Sequence, residues 1–144
     1  MFSGWLTAAV FLPLATAFAL LLLPRRNELI RWTAIGATIV ALVLTIAIYL
    51  QYDRDLGGVQ LVDQIDNWIP IPGFEAQYLL GIDGLNAPLI LLTGILGAAA
   101  ALASWRIQLR VREYFIWLLV LETAVMGVFA SLDLLLFFVF WEIE

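Results

Sequence analysis

Four apolar runs, each about as long as a bilayer is thick, dominate this sequence, and a fifth begins just before its end. The runs cover approximately residues 5–23, 32–50, 87–105, 114–130 and 134–144. About 20 apolar residues at 1.5 Å per residue cross a hydrocarbon layer of about 30 Å. A helix that is apolar on every side must be buried in lipid or in a core of similar apolarity. With 64% hydrophobic and only 13% charged residues, the chain has too little polar material to cover a soluble domain of this length. The expected fold class is an all-α membrane protein, a polytopic bundle of transmembrane helices forming a single domain over 1–144. Nucleic acid is not an expected partner, and the lipid bilayer is.

The linkers orient the bundle. All seven basic residues are arginines. Arg25, Arg26 and Arg31 lie between the first and second runs, and Arg106, Arg110 and Arg112 between the third and fourth. The second connection holds only Arg54. Basic loops stay on the cytoplasmic side, so the N-terminus is expected outside. The first run is not expected to be a signal peptide, because no basic residue precedes it and it is too long.

Residues 51–86 form the one long polar connection, expected on the outer face. It carries Asp53, Asp55, Asp63, Asp66, Glu75 and Asp83. The alternation Val59-Gln60-Leu61-Val62-Asp63, a later one at Phe74-Glu75-Ala76-Gln77-Tyr78, and the turn signal Pro70-Ile71-Pro72-Gly73 predict a short hairpin. Its acids read as a solvated surface. The third run is rich in small residues, with Gly94 and Ala98, and Gly97 and Ala101, spaced four apart, so it offers a close-packing face.

Two carboxylates fall inside the apolar runs. Glu142 follows eight residues after Leu134, and Glu122 eight after Tyr114, each roughly 12 Å into the layer. A charged side chain at that depth costs about 3 kcal/mol or more, so such residues mark proton or ion paths by default. The alternative for each is a protonated carboxyl in a helix–helix hydrogen bond. Only three residues join the fourth and fifth runs, which makes those helices neighbours and puts Glu122 and Glu142 at similar depth; whether the two meet depends on helical rotation, which could instead turn them to different neighbours. Glu144 is about 200° around the helix from Glu142 and is left without a role. With no His and no Cys, the chain excludes thiolate metal sites, haem ligation through His and iron–sulfur ligation, and no metal site is expected.

Several of these segments together are distinctive. Gly81-Ile82-Asp83-Gly84-Leu85, Leu121-Glu122, Gly127-Val128-Phe129-Ala130 running into Leu132-Asp133-Leu134, and Phe140-Trp141-Glu142 resemble the antiporter-like subunit M of respiratory NADH:quinone oxidoreductase, complex I. Mitochondrial chain four and the cyanobacterial and plastid D chain belong to the same group. Members of that family continue for many more spans, so the resemblance implies an N-terminal fragment. It implies a membrane subunit that moves protons while quinone is reduced elsewhere in the enzyme. The proton path would run through Glu142, paired with a lysine that this sequence does not contain, and less firmly through Glu122. NADH, flavin, iron–sulfur clusters and quinone would belong to other subunits. The implied partners are the other membrane subunits, including neighbouring antiporter-like ones, in a bacterial inner membrane. Two further readings compete: a subunit of an Mrp-type cation/proton antiporter, which shares the Glu142 position, and a membrane scaffold that conducts nothing.

Overall fold

A computed structural model describes residues 4–66, 68 and 77–144. The chain folds as α1 (Trp5–Leu22), α2 (Asn27–Gln51), β1 (Gln60–Ile65), β2 (Tyr78–Ile82), α3 (Asn86–Ala103), α4 (Val111–Ala130) and α5 (Leu134–Ile143). A single 3-10 turn, Ser104–Arg106, closes α3. Helices α1 to α4 are long and apolar enough to cross a membrane. The chain is an all-α membrane protein whose strands form one small hairpin. The second helix starts at Asn27 rather than at Trp32. Asn27 follows the helix-excluding Pro24, and Glu28 in the first turn suits a helix N-terminus, so Arg31 is helical rather than part of a linker.

Helix α4 is the hub of the bundle and packs against α1, α2, α3 and α5. Lipid tails are as apolar as leucine, so helix association here depends on close approach rather than on exclusion of water. Helix α3 provides that approach. A methyl group placed on Gly94 would lie 2.4 Å from Thr45 Oγ1 and 3.3 Å from Leu42 Cα of α2. On α4, Gly127 does the same for α5, because a Cβ there would sit 2.2 Å from the Phe140 ring.

Strands β1 and β2 pair antiparallel, with Asp63 opposite Leu80 and Ile65 opposite Tyr78, and the register shifts between Gln60 and Asp63. The expected turn at Pro70-Ile71-Pro72-Gly73, and Phe74 to Ala76 of the second alternating stretch, lie outside the described residues. The hairpin is tied to the helices below it. Leu132 N–H donates to Leu79 O at 2.9 Å, and Asn86 Nδ2 donates to Gly81 O and Phe129 O, both at 3.0 Å. A Cβ on Gly81 would stand 2.5 Å from the Leu132 side chain and 2.7 Å from Val59, so a larger residue there would have to displace them.

The acids of this face do not all form a solvated surface. Asp53, Asp55 and Asp66 are exposed, but Asp63 is fully buried. Its Oδ1 accepts from Gly4 N–H at 2.7 Å, and its Oδ2 accepts from Thr7 N–H and Thr7 Oγ1, both at 2.9 Å. A strand residue thus caps a helix about 56 positions earlier in the chain. Asp83 accepts from Leu85 and Asn86 N–H at 2.8 and 2.7 Å at the start of α3, and Asp133 accepts from Leu136 N–H at 3.0 Å at the start of α5. Every helix that begins on the hairpin face therefore has an aspartate at its positive end. On the opposite face α2 and α4 begin with no side-chain cap.

That opposite face is built around Arg31, which is 7% exposed. Its Nη2 donates to Ile107 O at 2.6 Å, and its guanidinium lies 5.7 Å from the centre of the Trp105 ring. Trp32 meets Trp105 edge-on at 5.0 Å. The connection between α3 and α4 is thereby anchored to α2.

Candidate functional site

The two carboxylates singled out from the sequence occupy different surroundings. Glu122 is 4% exposed on α4, and neither carboxyl oxygen has a hydrogen-bond partner among the described residues. The carboxyl group lies flat against α3 at Gly97, where a Cβ would come within 2.3 Å of Oε1. No side chain other than hydrogen leaves room for it there. Around it is a groove of about 230 Å³ between α3 and α4, walled by Thr93, Leu96, Ala100, Leu118, Leu121 and Val125. Thr93 cannot readily serve it, since its hydroxyl donates to Leu89 O at 2.9 Å within its own helix. Thr123, the next residue along, is also buried with an unpartnered hydroxyl oxygen.

Glu142 lies in the last turn of α5 with an exposed side chain, next to Trp141. Phe137, Phe138 and Trp141 form a cluster of rings on the same helix with centres 5.8 to 5.9 Å apart, of which Phe138 and Trp141 are stacked and Phe137 meets them edge-on and tilted. Phe140, facing the other way, is buried against Gly127.

Of the two arrangements open to Glu122 and Glu142, the rotation of α4 gives the one in which they face different neighbours. Helices α4 and α5 are neighbours, but they meet at Gly127 and Phe140. Gly127 is five residues beyond Glu122, about 140° around the helix at 100° per residue. Glu122 consequently looks towards α3 and not towards α5. Among the described residues, no group of three or more His, Cys, Asp or Glu side chains could hold a metal ion.

Asp63 is the residue whose role the sequence reading missed. The available signal was the alternation Val59-Gln60-Leu61-Val62-Asp63, which puts an acid in step with the apolar Val59 and Leu61.

Comparison with known proteins finds relatives that match nearly the whole of this chain. The chain is 41% identical over 142 residues to NAD(P)H-quinone oxidoreductase chain 4-3 of Nostoc sp., 37% over 142 residues to chain 4 2 of Microcystis aeruginosa, and 39% over 143 residues to chain 4 of a Synechococcus sp.. Each alignment covers 97% of this chain. It is a homologue of NAD(P)H-quinone oxidoreductase chain 4. The match covers 25%, 25% and 26% of those relatives, so the chain spans about a quarter of the length of the chain-4 proteins it matches. No family model matches it. The resemblance drawn from Gly81-Ile82-Asp83-Gly84-Leu85 and Phe140-Trp141-Glu142 thus agrees with the relatives. The first of these segments also has a visible structural purpose: Gly81 admits Leu132, Ile82 is fully buried, and Asp83 caps α3.

Proposed function

We propose that this chain forms part of a proton-translocating membrane subunit of an NAD(P)H:quinone oxidoreductase. The observation that carries the reading is the similarity to chain-4 proteins along 97% of the sequence. The bundle supports it by holding one unpaired carboxyl, Glu122, in an apolar groove and presenting another, Glu142, on an aromatic-walled helix. A carboxyl group that is not locked into hydrogen bonds within its own bundle remains available to take up and release a proton as its surroundings change. In this reading Glu142 is the principal proton-path residue and pairs with a cation from outside these 144 residues, since the chain has no lysine. Glu122 is a second, separately placed site.

Nicotinamide, flavin, iron–sulfur and quinone chemistry belong to partner subunits, in keeping with a chain that lacks Cys and His. The membrane is a bacterial inner membrane, with the hairpin and the N-terminus outside and the arginine face inside.

The decisive experiment is Glu142→Gln in the assembled enzyme. The amide keeps shape and hydrogen bonding but carries no ionisable proton. Assembly should persist while NAD(P)H-driven proton transport falls at least tenfold. Normal assembly with unchanged transport would refute the assignment and leave a scaffolding role.

A further inference from the structure

The surface of α4 carries a run of hollows that leads from the arginine face to the groove around Glu122. On the arginine face a polar cavity of about 190 Å³ lies between the start of α2 and the start of α4, bounded by Arg25, Asn27, Gln108, Arg110, Arg112 and Glu113. It continues past Arg110 and Glu113 into a hollow beside Tyr114 and Trp117. From there an apolar hollow of about 320 Å³ runs past Trp117, Leu118 and Leu121. Leu118 and Leu121 are also the near wall of the Glu122 groove. Each hollow shares side chains with the next, so one channel leads from three arginines to the middle of the bundle surface. It is open along its length, with Trp117 70%, Leu96 58% and Leu121 44% exposed.

We propose that this channel binds one anionic phospholipid, with its phosphate among Arg25, Arg110 and Arg112 and one acyl chain lying between α3 and α4. The proposal requires only that the bundle sits in a bilayer, and the far end of the acyl chain would share its groove with the Glu122 carboxyl. Three features argue for this occupant. The first is length: from Tyr114 to Val125 the channel extends about 16 Å along α4, matching one leaflet of a hydrocarbon core about 30 Å thick. The second is the change of chemistry along it, from guanidinium groups through an interfacial tyrosine and tryptophan to a mainly apolar end of leucine, glycine and alanine, where Glu122 is the one carboxyl, which follows the order of a phospholipid's own parts. The third is charge. Three arginines face one carboxylate, and the Arg110–Glu113 pair is long at 3.9 Å and well exposed, so a phosphate can displace it. The uncapped starts of α2 and α4 add to the positive potential there but do not define the site.

The test uses the protein in its native membrane assembly, reconstituted into nanodiscs. Phosphatidylglycerol and phosphatidylcholine probes, each with a diazirine on one acyl chain, are photolysed at equal mole fraction and the labelled peptides mapped. The phosphatidylglycerol probe should label the 96–100 and 118–125 segments several-fold more than the phosphatidylcholine probe. Arg110→Gln and Arg112→Gln should each reduce that preference about fivefold. Arg106→Gln removes the same charge from the same connection but outside the cavity, and should leave the preference intact. Ala100→Phe, which fills the apolar end, should suppress labelling by both probes there. Equal labelling by the two probes, or an equal effect of Arg106→Gln and Arg112→Gln, would overturn the proposal in favour of non-specific attraction. Displacement of the probe by inorganic phosphate would show a simple anion site instead. Cross-links from positions 96 and 121 to another helix in place of lipid would show that a protein segment fills the channel.

Discussion

Replacing Asp63 with alanine tests whether the hairpin is a structural clasp or a covering. Three hydrogen bonds of 2.7 to 2.9 Å are lost, and all of them end on a carboxylate that is fully buried. Bonds to a charged group contribute about 1.5–3 kcal/mol each, but bonds sharing one carboxylate are not additive. The substitution also leaves the Gly4 and Thr7 amides without their acceptor, in addition to the ~1 kcal/mol of a lost helix cap. Together these give an expected destabilisation of about 3–5 kcal/mol. Asp63→Asn retains one acceptor oxygen and can serve either Gly4 or Thr7 but not both, so its effect should be roughly half. Thr7→Ala deletes the hydroxyl's bonds to Asp63 and to Tyr78 but leaves the Thr7 amide bond, and should cost about 1–2 kcal/mol. Unfolding of the purified protein in mixed micelles, followed by circular dichroism, supplies the free energies, and the Asp63/Thr7 double-mutant cycle isolates their coupling. Hydrogen exchange at the Gly4 and Thr7 amides gives a local readout. A change below about 0.5 kcal/mol for Asp63→Ala, with those amides still protected, would refute the reasoning.

Three other outcomes follow from the same structure. Cysteines at Leu56 and Leu109, both about 80% exposed (79% and 81%) at opposite ends of the bundle, should react differently with an impermeant thiol reagent in right-side-out vesicles; labelling at 109 and not 56 would reverse the orientation. Tyr78 is held above its usual value of 10.0, chiefly by burial and also by the nearby Asp63 charge, against a lowering hydrogen bond from Thr7. Because the folded form keeps its proton longer than the unfolded form, stability should fall as pH rises above about 10, and Tyr78→Phe should remove that slope in alkaline unfolding curves. Gly97→Ala should push the Glu122 carboxyl off α3 and destabilise the bundle by about 1–3 kcal/mol, whereas Gly36→Ala, with nothing within 4 Å, should be neutral or slightly stabilising in the same assay.

Much of the architecture could be read from patterns that a membrane imposes. The apolar runs located the helices, since a span must satisfy its own backbone, and the alternation around Leu61 and Asp63 located the first strand. The close-packing role of Gly94 and Gly97 followed from their spacing on an alanine-rich helix. What could not be read was rotation. A helix that is apolar on every side has no polar stripe to fix its phase, so nothing in the sequence told that Glu122 turns to α3 while Gly127 turns to α5. Asp63 was misjudged for another reason: its partners lie about 56 residues away, and a cap of that range leaves no local signature beyond an acid on an apolar strand face.

The Asp63 clasp also has a consequence for the order of events during synthesis. Helix α1 packs against α4, which emerges roughly 90 residues later; at 5–20 residues per second that is a wait of about 5–20 s. Asp63 and the hairpin emerge well before α4. The clasp can therefore hold α1 and α2 in register in the membrane before their principal neighbour is made, and α4 then inserts against a pair that is already aligned. On ribosome-bound chains stalled before α4 has emerged, α1 should already cross-link to the hairpin at positions that leave Asp63 in place, and with Asp63→Ala that pairing should wait for α4.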